Sequence, residues 1–400
     1  MKYLKATIII TILCILNVNP DASAQRLAKP EDVDMSSERL QLADDLITTA
    51  IENNEFPGAV LLVARHGKIV AQRAYGHSQL IPEKKPMSST MIFDLASMTK
   101  PIATATSIMI LVEQGKLRLC DEVRRYVPEF STFIAADSSR GEDARLWHLL
   151  THTSGLPPYT NAEAVAQIYG TPCPIDSLVK HIAQLPKLAA PGAEFHYSCL
   201  GFITLACIVK QVSGSSIAEF SEKAIFQPLK MTSTGYTPDR EVIDRCVPTE
   251  LINGKPLVGI VHDPLARLID GISGNAGLFS TADDLYLFAQ MMLNHGTSIN
   301  GVRILSPLAV DRLTEVHPAV AFSGRGLGWD LDSDYATNGG DLFGDRAYGH
   351  TGYTGTSIWI DPDTETIVIF LTNRVHPFDK GSVVSIRSKI ANIIASSIKK

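Results

Sequence analysis

The sequence predicts a fold of the α/β class, α+β in type: one antiparallel sheet, flanked by helices from both chain ends and interrupted by a large, mainly helical insertion. Three observations carry this expectation. Residues 58–64 (GAVLLVA) and 69–75 (IVAQRAY) are short apolar runs joined by a turn at His66-Gly67-Lys68, which reads as a β-hairpin. A second hairpin is written near the other end, where Thr356 to Ile360 and Thr366 to Thr372 flank Asp361-Pro362-Asp363. Between them, residues 95–345 mostly carry a helical pattern broken by Pro- and Gly-rich loops such as 154–159 (SGLPPY) and 191–194 (PGAE).

In chain order, Ser36 or Ser37 can cap a first helix whose apolar residues Leu40, Ala43, Ile47, Ala50 and Ile51 recur at helical spacing up to Asn53-Asn54. After the first hairpin, Met91 to Ala96 is a strand-like stretch. It leads into a helix holding Ile102, Ala105, Ile108, Met109 and Val112, with Pro101 in the first turn, where proline is tolerated. Further on, Ser280 or Thr281 can cap a helix, with Asp284 completing a box-like cap. The last helix presents Val383, Ile386, Ile390, Ile393 and Ile394 on one face. The chain is expected to form one catalytic domain of two lobes, residues 25–95 with 346–400 carrying the sheet and 96–345 mainly helical. A site is expected where the lobes meet, since pockets favour such junctions.

Composition narrows the function. Of 400 residues, 45% are apolar and 20% charged, enough to bury a full core. A net charge of -6 leaves no basic footprint for nucleic acid. Residues 1–24 read as a signal peptide: Lys2 and Lys5, an apolar run from Ala6 to Leu16, then Ala22-Ser23-Ala24 before Gln25. That run is too short to span a bilayer, and no later stretch approaches the roughly 20 apolar residues a spanning helix needs. An exported protein, periplasmic or secreted after cleavage near Ala24, with no transmembrane segment in the mature chain, is expected. Leu13 before Cys14 is bulky where a lipid-attachment site wants a small residue. The remaining cysteines, 120, 173, 199, 207 and 246, are odd in number and show no disulfide framework. Cys199 and Cys207 would lie about 12 Å apart on one helix, too far to bridge, so the cysteines read as buried thiols.

The chemistry centres on Ser97-Met98-Thr99-Lys100. A spacing of three puts the Ser97 hydroxyl and the Lys100 amine on one helix face, with the hydroxyl near the positive helix end. Lysine can then serve as base if burial and neighbouring positive charge lower its pKa. The same S-x-x-K spacing recurs at Ser177 to Lys180, Ser396 to Lys399 and Ser397 to Lys400, but these fall inside or at the end of amphipathic helices. Only the Ser97 copy sits at a strand-to-helix junction. His148 and His152 lie four apart, yet no carboxylate with suitable spacing joins them, so neither a metal nor another cofactor is expected. The nucleophile elbow G-x-S-x-G is missing.

Two further segments bring a family into view. Tyr197-Ser198-Cys199, in PGAEFHYSCLGF, and His350-Thr351-Gly352, ahead of Tyr353-Thr354-Gly355, follow S-x-x-K in order. With it they resemble the serine β-lactamase-related family, namely class C β-lactamases, penicillin-binding D-alanyl-D-alanine carboxypeptidases and esterases of the same fold, over roughly residues 40–398. The resemblance implies a β-lactamase/transpeptidase-like fold, with Ser97 as nucleophile, Lys100 as base and Tyr197 as proton relay. It places His350, Thr351, Gly352 and Cys199 at substrate and the backbone N–H groups of Ser97 and Tyr353 in an oxyanion hole. Tyr159-Thr160-Asn161 is a literal Y-x-N, but the LLTHTSGLPP before it matches a different family segment, so Tyr197 is preferred. His262, Asp263 and Asn275 either line the cleft or serve structure.

The sequence departs from the family at two places. Cys199 stands where asparagine is usual, removing an amide that could bind a substrate carbonyl, and the charge of Lys100 should favour its thiolate. His350 replaces lysine as a weaker, pH-dependent cation. Gly352 is expected to let substrate backbone approach an edge strand. The resemblance implies an exported serine hydrolase forming an acyl-enzyme on an amide or ester of a small-molecule or peptidoglycan-derived substrate, nearest to muropeptide amidases or peptidases. A carboxylesterase or β-lactamase on the same fold, or a non-catalytic acyl-binding sensor, are the alternatives.

Overall fold

The computed structural model describes residues 27–134 and 143–399, so the expected signal peptide and Cys14 lie outside the described residues. Its main sheet has six antiparallel strands: β1 (Gly58–Arg65), β2 (Lys68–Gln79), β3 (Lys85–Pro86), β4 (Tyr348–Thr351), β5 (Ser357–Asp361) and β6 (Thr366–Thr372). Their order is β3-β2-β1-β6-β5-β4, so both hairpins form and the chain's two ends meet at the β1–β6 pair. Ala59 faces Thr372 and Arg65 faces Thr366 in that register.

Strand β1 is apolar without alternation because both its faces are covered. Ala59, Leu61 and Val63 pack with Trp359, Val368 and Phe370 against helices α1 (Ser37–Glu52) and, at the other end of the chain, α5 (Val384–Ser397). Val60, Leu62 and Ala64 turn the other way and join the larger core built by the helical insertion. That core surrounds α2 (Thr106–Glu113), α3 (Cys199–Ser213) and α4 (Ala282–Leu293). Helix α3 is buried continuously from Leu200 to Val209, the burial expected of a helix apolar all round. Among the described residues, no single helix is long and apolar enough to cross a membrane.

Ser36 is the N-cap of α1, accepting from Arg39 N–H at 3.3 Å, and Thr281 is the N-cap of α4, accepting from Asp284 N–H. Asp284 does not close a capping box: its carboxylate instead accepts from Ser233 N–H and the Thr234 hydroxyl. The strand-like stretch before Ser97 contributes only Phe93–Asp94, paired with Leu278–Ser280 in a second sheet completed by Gly235–Tyr236.

Candidate active site

Ser97 sits in a single 3-10 turn, Ala96–Met98, and the chain then winds through a π-helical turn, Lys100–Ala105, before α2 begins. Pro101 supplies no N–H to this turn, and the Thr106 hydroxyl donates to the Pro101 carbonyl at 2.9 Å. The entry is held under strain: Ala96 has φ +45°, and its N–H donates to the buried Asp94 carboxylate at 2.9 Å. Asp94 also accepts from His262 N–H at 2.7 Å, tying the serine turn to the loop ahead of Pro264–Leu268.

The Lys100 ammonium donates to Ser97 Oγ at 2.8 Å and to the Asn275 carbonyl at 3.1 Å, and lies 3.5 Å from Cys199 Sγ. Its side chain is fully buried. Burial is the largest influence on its pKa and depresses it, as the sequence reading required; Cys199 and Tyr197 beside it pull the other way, but only in their ionised forms. Among the described residues the other S-x-x-K copies form no such pair, and Lys400 of the last copy lies outside them. Lys180 reaches Glu129 at 3.4 Å, and the Ser396 and Ser397 hydroxyls bond to carbonyls of their own helix.

Tyr197 lies with Ser97 in one cleft of about 530 Å³, with Lys100 Nζ 5.0 Å from its ring centroid. His152 stacks on the same ring at 4.3 Å and fixes the loop by accepting from Ser198 N–H at 3.0 Å. Tyr159 is placed elsewhere: its hydroxyl donates to Asp263 at 3.0 Å and accepts from Leu265 N–H. His148 accepts from Arg145 N–H and packs on Trp147, so the two histidines of the spacing serve separate structural roles. Asp263 caps Pro264–Leu268, while Asn275 meets the site through its carbonyl.

Strand β4 is the sheet edge and brings His350, Thr351 and Gly352 beside Ser97. Gly352 has a structural reason of its own: a Cβ there would lie 2.4 Å from the Leu95 carbonyl and 2.2 Å from Thr356 Oγ1, so glycine lets this turn close on the serine turn. Thr354 and Thr356 hydroxyls complete that junction by donating to the Asp94 and Leu95 carbonyls. The turn's backbone bonds run from Gly352 N–H to Thr356 O and from Gly355 N–H to Gly352 O, and the Tyr353 N–H takes no part in them.

His350 differs from its expected role. It is buried, and burial together with the charges of Arg325 and Lys100 pushes its pKa well below the ordinary histidine value, so it is a neutral ring rather than a cation. Its Nδ1 donates to the Thr351 carbonyl at 2.8 Å. Cys199 is also corrected: burial raises its thiol and exceeds the lowering by Lys100, so the thiol form is favoured. Among the described residues Cys120, Cys173, Cys199, Cys207 and Cys246 are all free; Cys120 is exposed and Cys199 only partly buried, against the expectation that all are buried.

Sequence reasoning missed the cleft's arginines. Arg325, Arg374 and Arg387 all line it, from a glycine-rich loop, the end of β6 and α5 respectively. Arg387 donates to the Gly352 carbonyl at 3.0 Å and the Thr356 carbonyl at 2.8 Å; Arg374 clamps the Tyr353 carbonyl at 2.6 Å. No periodicity marks these residues: Arg387 and Arg374 hold backbone carbonyls distant in sequence, and Arg325 lies against Asp330.

A six-stranded antiparallel sheet between terminal helices and a helical insertion, with a serine–lysine pair at the junction, defines a class of serine hydrolases. The chain belongs to the beta-lactamase family, whose pattern it matches over residues 43–388. It is 31% identical over 381 residues to a Bacillus subtilis (strain 168) protein named N-acetylmuramyl-L-alanine amidase, covering 88% of this chain and 84% of that one. It is 28% identical to a Salmonella agona (strain SL483) protein provisionally named D-alanyl-D-alanine carboxypeptidase, covering 93% and 92%. Among solved structures it is similar to EstCE1, a hydrolase with promiscuous acyltransferase activity, at TM-score 0.71 and 25% identity over 90% of this chain and 99% of that one.

Proposed function

We propose that this protein is an exported serine hydrolase that opens an amide or ester through an acyl-enzyme on Ser97, with cell-wall muropeptides as its substrate class. The observation that carries the reading is the 2.8 Å contact between Lys100 Nζ and Ser97 Oγ at a cleft also lined by Tyr197. Ser97 Oγ attacks the carbonyl carbon while its proton passes to the Lys100–Tyr197 pair. The two act as one unit: the Lys100 amine in its neutral form takes the serine proton, and the ammonium so formed passes a proton to the Tyr197 oxygen as the phenol O–H gives its own to the leaving group. The phenol then protonates the leaving nitrogen or oxygen, and water releases the acyl group by the reverse route. The N–H groups of Ser97 and Tyr353 receive the developing oxyanion. The resemblance to the Bacillus amidase supports a muropeptide amide; Cys199 in place of asparagine and the likeness to EstCE1 favour an ester as the second reading.

Fluorophosphonate labelling followed by peptide mapping, and mass spectrometry of muropeptides after incubation, test both parts. Labelling confined to Ser97 and lost in Ser97→Ala is expected, with Lys100→Ala slower by at least about two orders of magnitude. A label that persists on Ser97→Ala would sink the nucleophile assignment. An unlabelled wild type would return the chain to the acyl-binding sensor. Intact muropeptides alongside rapid ester hydrolysis would select the esterase.

A further inference from the structure

The chain carries a net charge of -6, yet its Ser97 cleft is lined by four cationic side chains, Arg325, Arg374, Lys380 and Arg387, against the carboxylates of Asp330 and Asp379. Two of the arginines are committed to the fold. Arg374 spans the Tyr353 and Gly381 carbonyls and Asp379, and Arg387 spans the Gly352 and Thr356 carbonyls and Asn338. Arg325 is different. It is 1% exposed, and its Nε and Nη1 have no hydrogen-bond partner. The nearest carboxylate, Asp330, stands 3.5 Å from Nη2, beyond a good charge-assisted bond, and itself accepts from the Ser333 hydroxyl at 2.6 Å.

Around the guanidinium stand three aromatic rings, Phe195, Tyr197 and Tyr335, with centroids 5.5 to 5.6 Å from it. Ring faces attract a cation, but they leave the in-plane N–H groups without acceptors. Burying a guanidinium without partners is costly, so the three N–H donors on Nε and Nη1 await an acceptor. The slot is walled by aromatic rings tilted to one another, and a carboxylate can meet the planar fork edge-on. Tyr197 joins this slot to the chemistry, because the same ring lies 5.0 Å from Lys100 Nζ. His350, a neutral ring, leaves the anion-binding role open.

We infer that Arg325 is the anion receptor of the cleft, and that the substrate opened at Ser97 carries a free carboxylate which the Arg325 fork binds in exchange for its loose contact with Asp330. The inference rests on the proposed nucleophile and names the substrate feature that nucleophile would be shown.

The test uses p-nitrophenyl acetate hydrolysis as reporter and compares N-acetyl-L-alanine with N-acetyl-L-alaninamide as competitive inhibitors. Wild-type protein should bind the carboxylate at least about tenfold more tightly than the amide, since a site built to pair a group rejects the analogue lacking it. Arg325→Gln should reduce that ratio to within about twofold, and Arg325→Lys should restore part of it. Asp330→Asn, which removes the competing carboxylate and keeps the arginine, should raise the ratio, and this holds the proposal open to refutation even if Arg325→Gln fails to fold. A wild-type ratio near one, a ratio unchanged in Arg325→Gln, or no change in Asp330→Asn would overturn it. If reporter hydrolysis survives in Ser97→Ala, it is the nucleophile reading that fails.

Discussion

Cys199 shows how opposing effects on one side chain are decided by geometry. The charge of Lys100 is 3.5 Å away and favours a thiolate, but burial is the larger influence and leaves the thiol. We therefore expect iodoacetamide near neutral pH to modify exposed Cys120 first and Cys199 at least about tenfold more slowly. Time-resolved peptide mapping reads this directly, and faster modification of Cys199 would show that Lys100 wins. Side chains of this kind divide into those the sequence displays and those it hides. Ser97 and Lys100 are legible because a spacing of three is a helical contact, and Tyr197 because its flanks are distinctive. Arg325 is illegible: its importance lies in the partners it lacks, which only the fold reveals.

The same division holds for elements. Both hairpins were readable because each is set by a short turn between apolar runs, and the outer helices because their apolar residues keep one period. Missed elements depend on distant chain. The second sheet uses strands of two or three residues, too short to carry a period, and the π turn after Lys100 reflects the local effect of Pro101. The turn after β4 belongs here too, for it aligns with the serine turn through tertiary contacts at Gly352, Thr354 and Thr356. Adding a methyl group at this position places it against the Leu95 carbonyl, two residues before Ser97. Gly352→Ala should thus push the two turns apart, lowering kcat/KM by at least about tenfold, since small misplacements at a reacting centre cost about that much or more. Steady-state kinetics checks it; a variant with wild-type kcat/KM would mean that the junction yields without disturbing the site.

At the scale of the whole molecule, burial of histidines couples stability to pH. His148 and His317 flank Trp147, and burial lowers them to about 3 and about 4, while His152, His350 and His376 are also pushed below the ordinary value. Each binds protons more readily unfolded than folded, so the stability it contributes is present above about pH 6.5 and is lost as pH falls toward its folded pKa. Buried Asp284, raised to about 6, acts in the opposite sense: its contribution is present at low pH and is lost as pH rises through 6. A single histidine is therefore best isolated by a variant. His317 stacks on Trp147 at 4.3 Å, and phenylalanine there keeps the stacked ring while removing the titration. Above about pH 7, His317→Phe and wild type should differ only by a constant packing term. Below about pH 6.5 the variant should gain on wild type as pH falls toward 4, by at most about 1.4 kcal/mol per pH unit and less where solvent screens the ring. Urea unfolding of both proteins at pH 4 to 8 measures the difference, and parallel profiles across that range would show that the His317 ring takes up its proton without opening the fold.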